Sequence, residues 1–514
     1  MRFLLILFIL LSVNAFAQTT LPGECGLSKS DAASIREQMF SNRNTISVSQ
    51  IQSIKQQRFN IHIPVVVHIV GNSNGQGFAG PQGVVNMICR MNEDFADQNL
   101  RFYLKDSLRF VKDDTIFMDA YDSIAVNRMI ALKDTTALNI FTNGSAGGGV
   151  AGYYSRRGDY VFILNSYANG GSTTITHELG HFFTLMHTFY GWEGTDARVL
   201  YNNVPAPDSI NDSHGEKKEV EYVARTGPLA NCYSSADGFC DTPADYISER
   251  EQCPMPGIAL DPSGTAISPS TGLYMSYFYD ACVDSFSSEQ KTAIMASVVN
   301  RNWLFFPAPN TDSLDWNAIS AISPLNAAIV SLQGQSSVIL QWNSQNVGPA
   351  TSFIVTVERM LFGSPIQTVM TKLVNAQNFA ELPASVLING GNYRWAVMPF
   401  SKGYHCAGFS PFSNFSTQTV SGIRDISNTE MTIMTRPNPV KGSTASIYFN
   451  ISEPMSSSIR VYSADGRLML NEAMQQCEAG EHYRYFDVSS FASGYYIVQL
   501  LTEKGSKSTV LIIE

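Results

Sequence analysis

The sequence predicts a mixed α/β domain followed by two all-β sandwich domains. Three observations predict it. Between residues 59 and 305 a β-branched strand, a helix-spaced segment and further strands alternate; from 318 to 421 short strand candidates are separated by turn residues; and a second all-β run fills 432–514. The chain has 514 residues, 44% of them hydrophobic, enough for several domains, each with its own core. A net charge of −10 argues against nucleic-acid binding, which normally shows a basic patch.

Residues 1–17 read as a secretory signal: Arg2, an apolar run from Phe3 to Leu11, and the small-x-small site Ala15-Phe16-Ala17. The apolar run is shorter than the ~18 residues a membrane span needs. No later stretch is long and apolar enough to cross a bilayer, so a soluble or surface-attached mature protein is expected. Residues 18–58 are polar and loosely helical, and suit a propeptide better than a core.

Ile61-His62-Ile63-Pro64-Val65-Val66-Val67-His68-Ile69-Val70 is dense in β-branched residues and predicts a strand. The segment Val84 to Phe95 carries apolar residues at helical spacing. Strands are predicted at Leu138 to Phe141 and Tyr160 to Leu164, with a loop forced between them by Gly147-Gly148-Gly149. Past Asn302, Pro307 and Pro309 mark a linker. Short strands follow at 328–333, 337–342, 352–359, 366–373 and 392–398, the pattern of a β-sandwich. The last segment holds the alternating Ser458-Ile459-Arg460-Val461-Tyr462, a turn at Ala464-Asp465-Gly466, and Tyr495 to Leu500.

The chemistry is concentrated in Thr174-Ile175-Thr176-His177-Glu178-Leu179-Gly180-His181-Phe182-Phe183-Thr184-Leu185-Met186-His187. Residues four apart share a helix face, so His177 and His181 can turn imidazole nitrogens to one metal. His187 can join them only if the helix stops and the chain turns back. Three neutral histidines leave a fourth tetrahedral position for water, the arrangement a catalytic zinc needs. Glu178 is then the general base that takes a proton from that water, and the reaction is hydrolysis of a peptide bond. With 8 His and 44 acids in the chain, a chance His-Glu-x-x-His is about a one-percent event before His187 is required as well.

This segment resembles the metzincin zinc peptidases, and more narrowly the pappalysin family. The strand with Ile63-Pro64-Val65-Val66, the helix with Asn92-Glu93-Asp94-Phe95, His187-Thr188-Phe189, Cys240-Asp241-Thr242-Pro243, Tyr274-Met275-Ser276-Tyr277, and Phe286 with Gln290 carry the resemblance over roughly residues 60 to 300. It implies a twisted mixed sheet over an active-site helix, then a loop-rich lower half closed by a Met-containing turn. Met275 would lie beneath the histidines, and Tyr277 would point its hydroxyl at the metal to stabilise an oxyanion. One departure stands out: the metzincin glycine three residues after the second histidine is Thr184 here, and a β-branched residue is an outlier in the left-handed conformation that often ends such a helix. Ala281, beside Cys282 and near the expected S1′ wall, is not an acid, so the arginine preference of relatives is not assumed, and the sequence does not fix the peptide specificity.

Eight cysteines in an exported chain invite disulfides. Cys232, Cys240, Cys253 and Cys282 fall in one loop-rich stretch, and four cysteines allow three pairings; a zinc cluster is disfavoured by the lack of a C-x-x-C pair. The resemblance implies Cys232–Cys253 and Cys240–Cys282. Cys89, Cys406 and Cys477 are scattered and can remain free. Cys25, in the propeptide, can occupy the open zinc position and hold a zymogen inactive, as in several metzincins; an incidental lone cysteine is the other reading. Asp237, Asp241 and Asp245 recur every four residues and offer the oxygens that structural calcium wants, as relatives do in this region; a solvated acidic loop is the other reading.

The tail resembles the C-terminal sorting domain of type IX secretion through Arg436-Pro437-Asn438-Pro439, Ser463 to Arg467, Gly494-Tyr495-Tyr496 and Val510 to Ile513. That implies a Bacteroidetes-type Gram-negative bacterium, the type IX machinery as a partner, and a secreted or surface location. Residues 318–421 resemble a fibronectin type III module around Gly391 to Val397. The expected function is a secreted zinc endopeptidase acting on proteins or peptides. The alternative is a surface adhesin with a catalytically weak metzincin-like domain.

Overall fold

The computed structural model describes residues 25–57, 61–145, 150–195, 197–201, 203–212, 215–255, 258–301, 309–418, 431–464, 467–503 and 505–514. The secretory signal, Gly147-Gly148-Gly149, Pro307 and Asp465-Gly466 lie outside them. The chain forms two compact units, one of residues 1–328, 339–382 and 392–415, the other of 329–338, 383–391 and 416–514.

In the first unit, the segment expected as propeptide forms two helices, α1 (Lys29–Thr45) and α2 (Val48–Gln57). They are only weakly amphipathic in sequence, yet Ile35, Met39 and Ile51 are buried in the main core. Then come β1 (Ile61–Gly71), α3 (Pro81–Asp94), β2 (Leu100–Leu104), β3 (Arg109–Lys112), α4 (Asp114–Met118), α5 (Ser123–Leu132), β4 (Leu138–Asn143), β5 (Gly152–Ser155), β6 (Tyr160–Leu164) and α6 (Thr174–Phe182). The lower part holds α7 (Ala197–Tyr201), β7 (Ser209–Asn211), β8 (Lys217–Glu219) and α8 (Ser288–Asn300). Ser287 and Gln290 start α8 with a reciprocal capping box.

The sheet order is β2-β1-β4-β6-β5, with β3 also on β1. β1 runs parallel to β2, β3 and β4, and β4 parallel to β6; only β5 is antiparallel, and it forms the open edge. β1 is buried on both faces, as a strand of a covered parallel sheet must be, which is why it reads as a nearly unbroken apolar run. The sheet is therefore mixed, with α3 and α6 packed on it.

The strands Ser352–Leu361, Ser364–Asn375 and Asn392–Phe400 belong to the same unit. Ser352–Leu361 pairs antiparallel with Ser364–Asn375 and Asn392–Phe400. Ile354, Met398, Phe400 and Ala407 lie in the same buried cluster as Ile63, Met91 and Phe102. The Leu104 amide donates to the Lys402 carbonyl (2.8 Å), and Cys89 of α3 is disulfide-bonded to Cys406. The cysteines read as free from sequence are therefore a cross-link of this packing; a separation of 317 residues left no local signal of it.

The second unit contains the C-terminal β domain. Thr444–Ile451 pairs with Met431–Arg436 and Gly480–Asp487 in one antiparallel sheet, and Met455–Ser463 and Gly494–Thr502 centre another. Alternating residues such as Ile447, Phe449, Ile459, Val461, Val498 and Leu500 fill its core.

Candidate active site

Every residue of α6 is buried. Its start is tied down by Asp280, whose Oδ1 accepts from the Thr173 amide (3.1 Å) and hydroxyl (2.5 Å). Gly180, unfavourable inside a helix by about 1 kcal/mol relative to alanine, has a local cause. A Cβ there would fall on the Met275 sulfur, and the Met275 methyl carbon would lie at 3.1 Å. Met275 is fully buried and packs directly against the helix between the two histidines' turns.

The helix ends in a Schellman motif. The Leu185 amide donates to the Gly180 carbonyl (2.8 Å) and the Thr184 amide to the His181 carbonyl (2.9 Å). The motif needs a left-handed residue at Thr184, and Thr184 takes it, with φ 75°. So the threonine makes the glycine's turn, at the expense of backbone strain. Its hydroxyl, buried, has no hydrogen-bond partner among the described residues.

Beyond this turn the chain folds back and brings His187 to the helix. Nε2 of His187 lies 3.1 Å from Nε2 of His181 and 3.2 Å from Nε2 of His177. Each ring is aimed by an oxygen on its other nitrogen: Nδ1 donates to the Tyr274 carbonyl from His177 (2.7 Å), to the Leu185 carbonyl from His181 (2.8 Å), and to Glu193 Oε1 from His187 (3.3 Å). These partners put the hydrogens on Nδ1 and leave three Nε2 lone pairs facing one point. Burial holds the His177 pKa down to about 3, with His187 adding to the effect, and drives His181 well below its usual value. Tetrahedral zinc with bonds of ~2.0–2.1 Å separates its nitrogens by about 3.3 Å, so the residues present fit that ion.

Glu178 is 1% exposed, and burial pushes its pKa up to about 8. Its Oε1 has no partner among the described residues, while Oε2 accepts from the Cys25 thiol at 3.5 Å. The Cys25 sulfur and the donor nitrogens of the three histidines all lie within 4.8 Å of one another. The Cys25 amide donates to the Tyr277 hydroxyl (2.9 Å), and the Tyr277 ring stands 5.6 Å from that of His177 and 5.0 Å from that of His187. Sequence reasoning thus named the residues that meet here. It missed Glu193, the carbonyls of Tyr274 and Leu185, and the edge strand β5, which has only four residues between turns. It also missed the work of Asp94, which accepts from Arg90 (2.8 Å), the Tyr274 hydroxyl (2.8 Å) and the Thr176 hydroxyl, and so joins α3, α6 and the Met275 segment.

One expectation is corrected. The disulfides are Cys232–Cys240 and Cys253–Cys282, not Cys232–Cys253 and Cys240–Cys282. The first joins cysteines eight positions apart, and the second ties the segment before the Met275 turn to the one after it. Asp237, Asp241 and Asp245 are each engaged by neighbouring groups, while Asp237 Oδ2 is buried without a hydrogen-bond partner among the described residues. Asp245 accepts from Thr188 and Ser276, Asp241 from Ser287 and the Glu289 amide, and Asp237 from Thr242 and the Phe239 amide. They hold loops and the start of α8. The acid beside Ala281 is Asp280, occupied by Thr173 and by Arg250 (3.1 Å).

Comparison with known proteins agrees with this geometry. Residues 112–246 match the family described as pregnancy-associated plasma protein-A, and residues 436–514 match the secretion system C-terminal sorting domain. The chain carries a pappalysin-type peptidase domain and a type IX sorting domain. An extracellular metalloprotease of Colletotrichum graminicola is 27% identical over 251 residues, 45% of this chain and 74% of that protein. Extracellular metalloprotease 1 of Coccidioides posadasii is 26% identical over 251 residues, 45% of this chain and 75% of the relative. A further extracellular metalloprotease, from Uncinocarpus reesii, is 25% identical over 291 residues, 55% of this chain and 91% of its own. The protein is a metalloendopeptidase, secreted or held at the surface of a Bacteroidetes-type bacterium. Among the described residues no helix is long and apolar enough to cross a membrane.

Proposed function

We propose that this protein is the latent form of a zinc-dependent endopeptidase, with His177, His181 and His187 as ligands and Glu178 as general base. The observation that carries the reading is the convergence of three Nε2 atoms, each ring oriented by an oxygen on Nδ1. Zinc bound there supplies a Lewis acid that lowers the pKa of water towards ~7 and polarises a carbonyl. Glu178, with Oε1 unengaged, takes the proton of the attacking water and returns it to the leaving amine. The Tyr277 hydroxyl donates to the carbonyl oxygen as negative charge builds on it. Met275 supports the helix from below. Cys25 would account for latency: its sulfur lies within 4.8 Å of the three histidine nitrogens and would hold zinc as a thiolate, its proton passing to Glu178, with which it is hydrogen-bonded, while its amide takes the Tyr277 hydroxyl. Three working parts are engaged by one prosegment residue, and peptide substrates enter once it leaves.

The test uses the chain without residues 1–17, before and after removal of the prosegment. About one zinc per chain is expected, lost in His181→Ala; undiminished zinc in that variant rejects the ligand set. Glu178→Ala should keep zinc and lose casein cleavage by ~10²–10⁴-fold. If the processed wild type leaves casein and gelatin intact with zinc bound, the adhesin reading replaces this one.

A further inference from the structure

The prosegment does more than present a thiol. Cys25 pairs with Gly152 in parallel, and the Gly26 amide donates to the Gly152 carbonyl (2.9 Å), so the chain lies along β5, the open edge of the sheet. The next backbone group, the Gly26 carbonyl, is met by a side chain: the Tyr121 hydroxyl donates to it. Tyr121 stands in the turn between α4 and α5, far from every motif of the site. Its ring is so close that a Cβ on Gly26 would overlap the hydroxyl and lie 2.8 Å from Cζ.

The peptidase body, not the prosegment, holds Tyr121 in place. The Tyr153 hydroxyl donates to the Ala120 carbonyl (2.9 Å), the Tyr121 amide donates to Asp119 (2.8 Å), and the Tyr121 ring packs on that of Tyr153 at 4.6 Å. Ala120 is fully buried, and Asp122 caps α5 through the Ile124 amide (2.8 Å). When residues 25 and 26 depart, a fixed hydroxyl donor therefore stays beside the edge strand. The phenolic O–H has two orientations in the ring plane, so it can meet a carbonyl of a chain running in either direction.

We propose that Tyr121 is a substrate-binding residue of the cleft: its hydroxyl donates to a backbone carbonyl of a peptide laid along β5, at the residue next to the one on the metal. The proposal rests on the peptidase reading above. Tyr121 then extends the four-residue edge strand by one donor and reads the main chain rather than a side chain. The enzyme should favour extended polypeptides that reach Tyr121 over short peptides that do not.

The experiment compares processed wild type with Tyr121→Phe, which keeps the ring and its packing on Tyr153. Quenched peptides of one cleavable sequence are used, full-length and shortened stepwise from each end. The expected result is a KM raised roughly 3–10-fold on the full-length peptide, the range for one neutral hydrogen bond, with kcat within twofold. The difference should vanish on the peptides shortened from one end. Binding of the full-length peptide to Glu178→Ala, read by fluorescence anisotropy, should weaken by the same factor when Tyr121→Phe is added. An equal loss on long and short peptides would mean that Tyr121 acts through the fold. No loss on any peptide would confine it to the prosegment. Either result overturns the proposal while wild-type cleavage stands; absence of wild-type cleavage counts against the peptidase reading instead.

Discussion

Nδ1 of His181 lies 2.8 Å from the carbonyl oxygen of Leu185, and the left-handed Thr184 between them puts it there. The turn that aims the second histidine is thus also the strained one. Thr184→Gly should relieve ~1–2 kcal/mol of left-handed strain and remove a buried hydroxyl with no partner among the described residues. Added freedom of the unfolded chain offsets about 1 kcal/mol. The net expectation is a gain of about 1 kcal/mol, a rise in melting temperature of ~2–4 °C for a domain of this size, with zinc and activity kept. Thr184→Ala, which retains the strain, should gain less. A glycine variant that melts lower with zinc bound would show that the threonine's packing outweighs its strain.

Glu193 is the one charged group that aims a histidine, through His187 Nδ1 at 3.3 Å, and its other oxygen accepts from the Gly191 amide (2.7 Å). Outer partners of metal-bound histidines typically matter by ~10–100-fold in metal affinity. Glu193→Ala should weaken zinc binding by about that factor. Competition against a chelator of known affinity measures it; an unchanged affinity means that the ring contacts with Phe189 and Tyr277 hold His187 without Glu193.

Gly26 has no room for a side chain beneath Tyr121. Gly26→Val should therefore push Cys25 off the metal centre. Unprocessed precursor carrying the substitution should cleave casein at least several-fold faster than unprocessed wild type, as should Cys25→Ser. A precursor that stays equally silent would show that α1 and α2 block the cleft without this contact.

The Cys89–Cys406 bond joins α3 to the strand region after residue 392 across 317 residues. Replacing both cysteines by serine should lower stability by roughly 2–5 kcal/mol, since cross-links closing long loops restrict the unfolded chain most. Thermal melts under non-reducing conditions read the loss. An unchanged melting temperature would mean that the shared core around Ile354, Met398 and Phe400 suffices.

Arg301 lies over the Phe182 ring at 3.9 Å, donates to the Phe182 carbonyl at the end of α6, and pairs with Asp159 at 2.9 Å. Burial alone would raise the Asp159 pKa; the Arg301 guanidinium outweighs it and holds it below the usual carboxylate value. A depressed folded pKa means that the pair stabilises the protein above the unfolded value of ~3.9 and stops doing so as pH falls through the folded one. Arg301→Met should therefore melt lower than wild type at pH 7. The gap, near the lower end of the ~3–5 kcal/mol for breaking a buried pair, should close below about pH 4. A gap independent of pH would assign the effect to lost packing on Phe182.

What was legible in the sequence was whatever neighbouring residues determine. β1 and α3 announce themselves by β-branched density and helical spacing, and the strands at 138 and 160 begin where their patterns begin. His177, Glu178 and His181 share a helix face because 3.6 residues make a turn. His187 required that the chain reverse after the helix; the family's glycine pointed to Thr184 as the place, and only the structure showed that Thr184 takes the left-handed conformation. The tertiary structure alone decided the rest. The edge strand β5 is four residues long and buried on both faces, so it has no alternation to read. Which cysteines pair, which carboxylate aims His187, and which tyrosine overhangs Gly26 depend on distances between segments from 6 to 317 residues apart. Sequence spacing encodes direction along one element, but contact between elements is set by how their buried faces close on one another, and that information appears only when the whole core is packed.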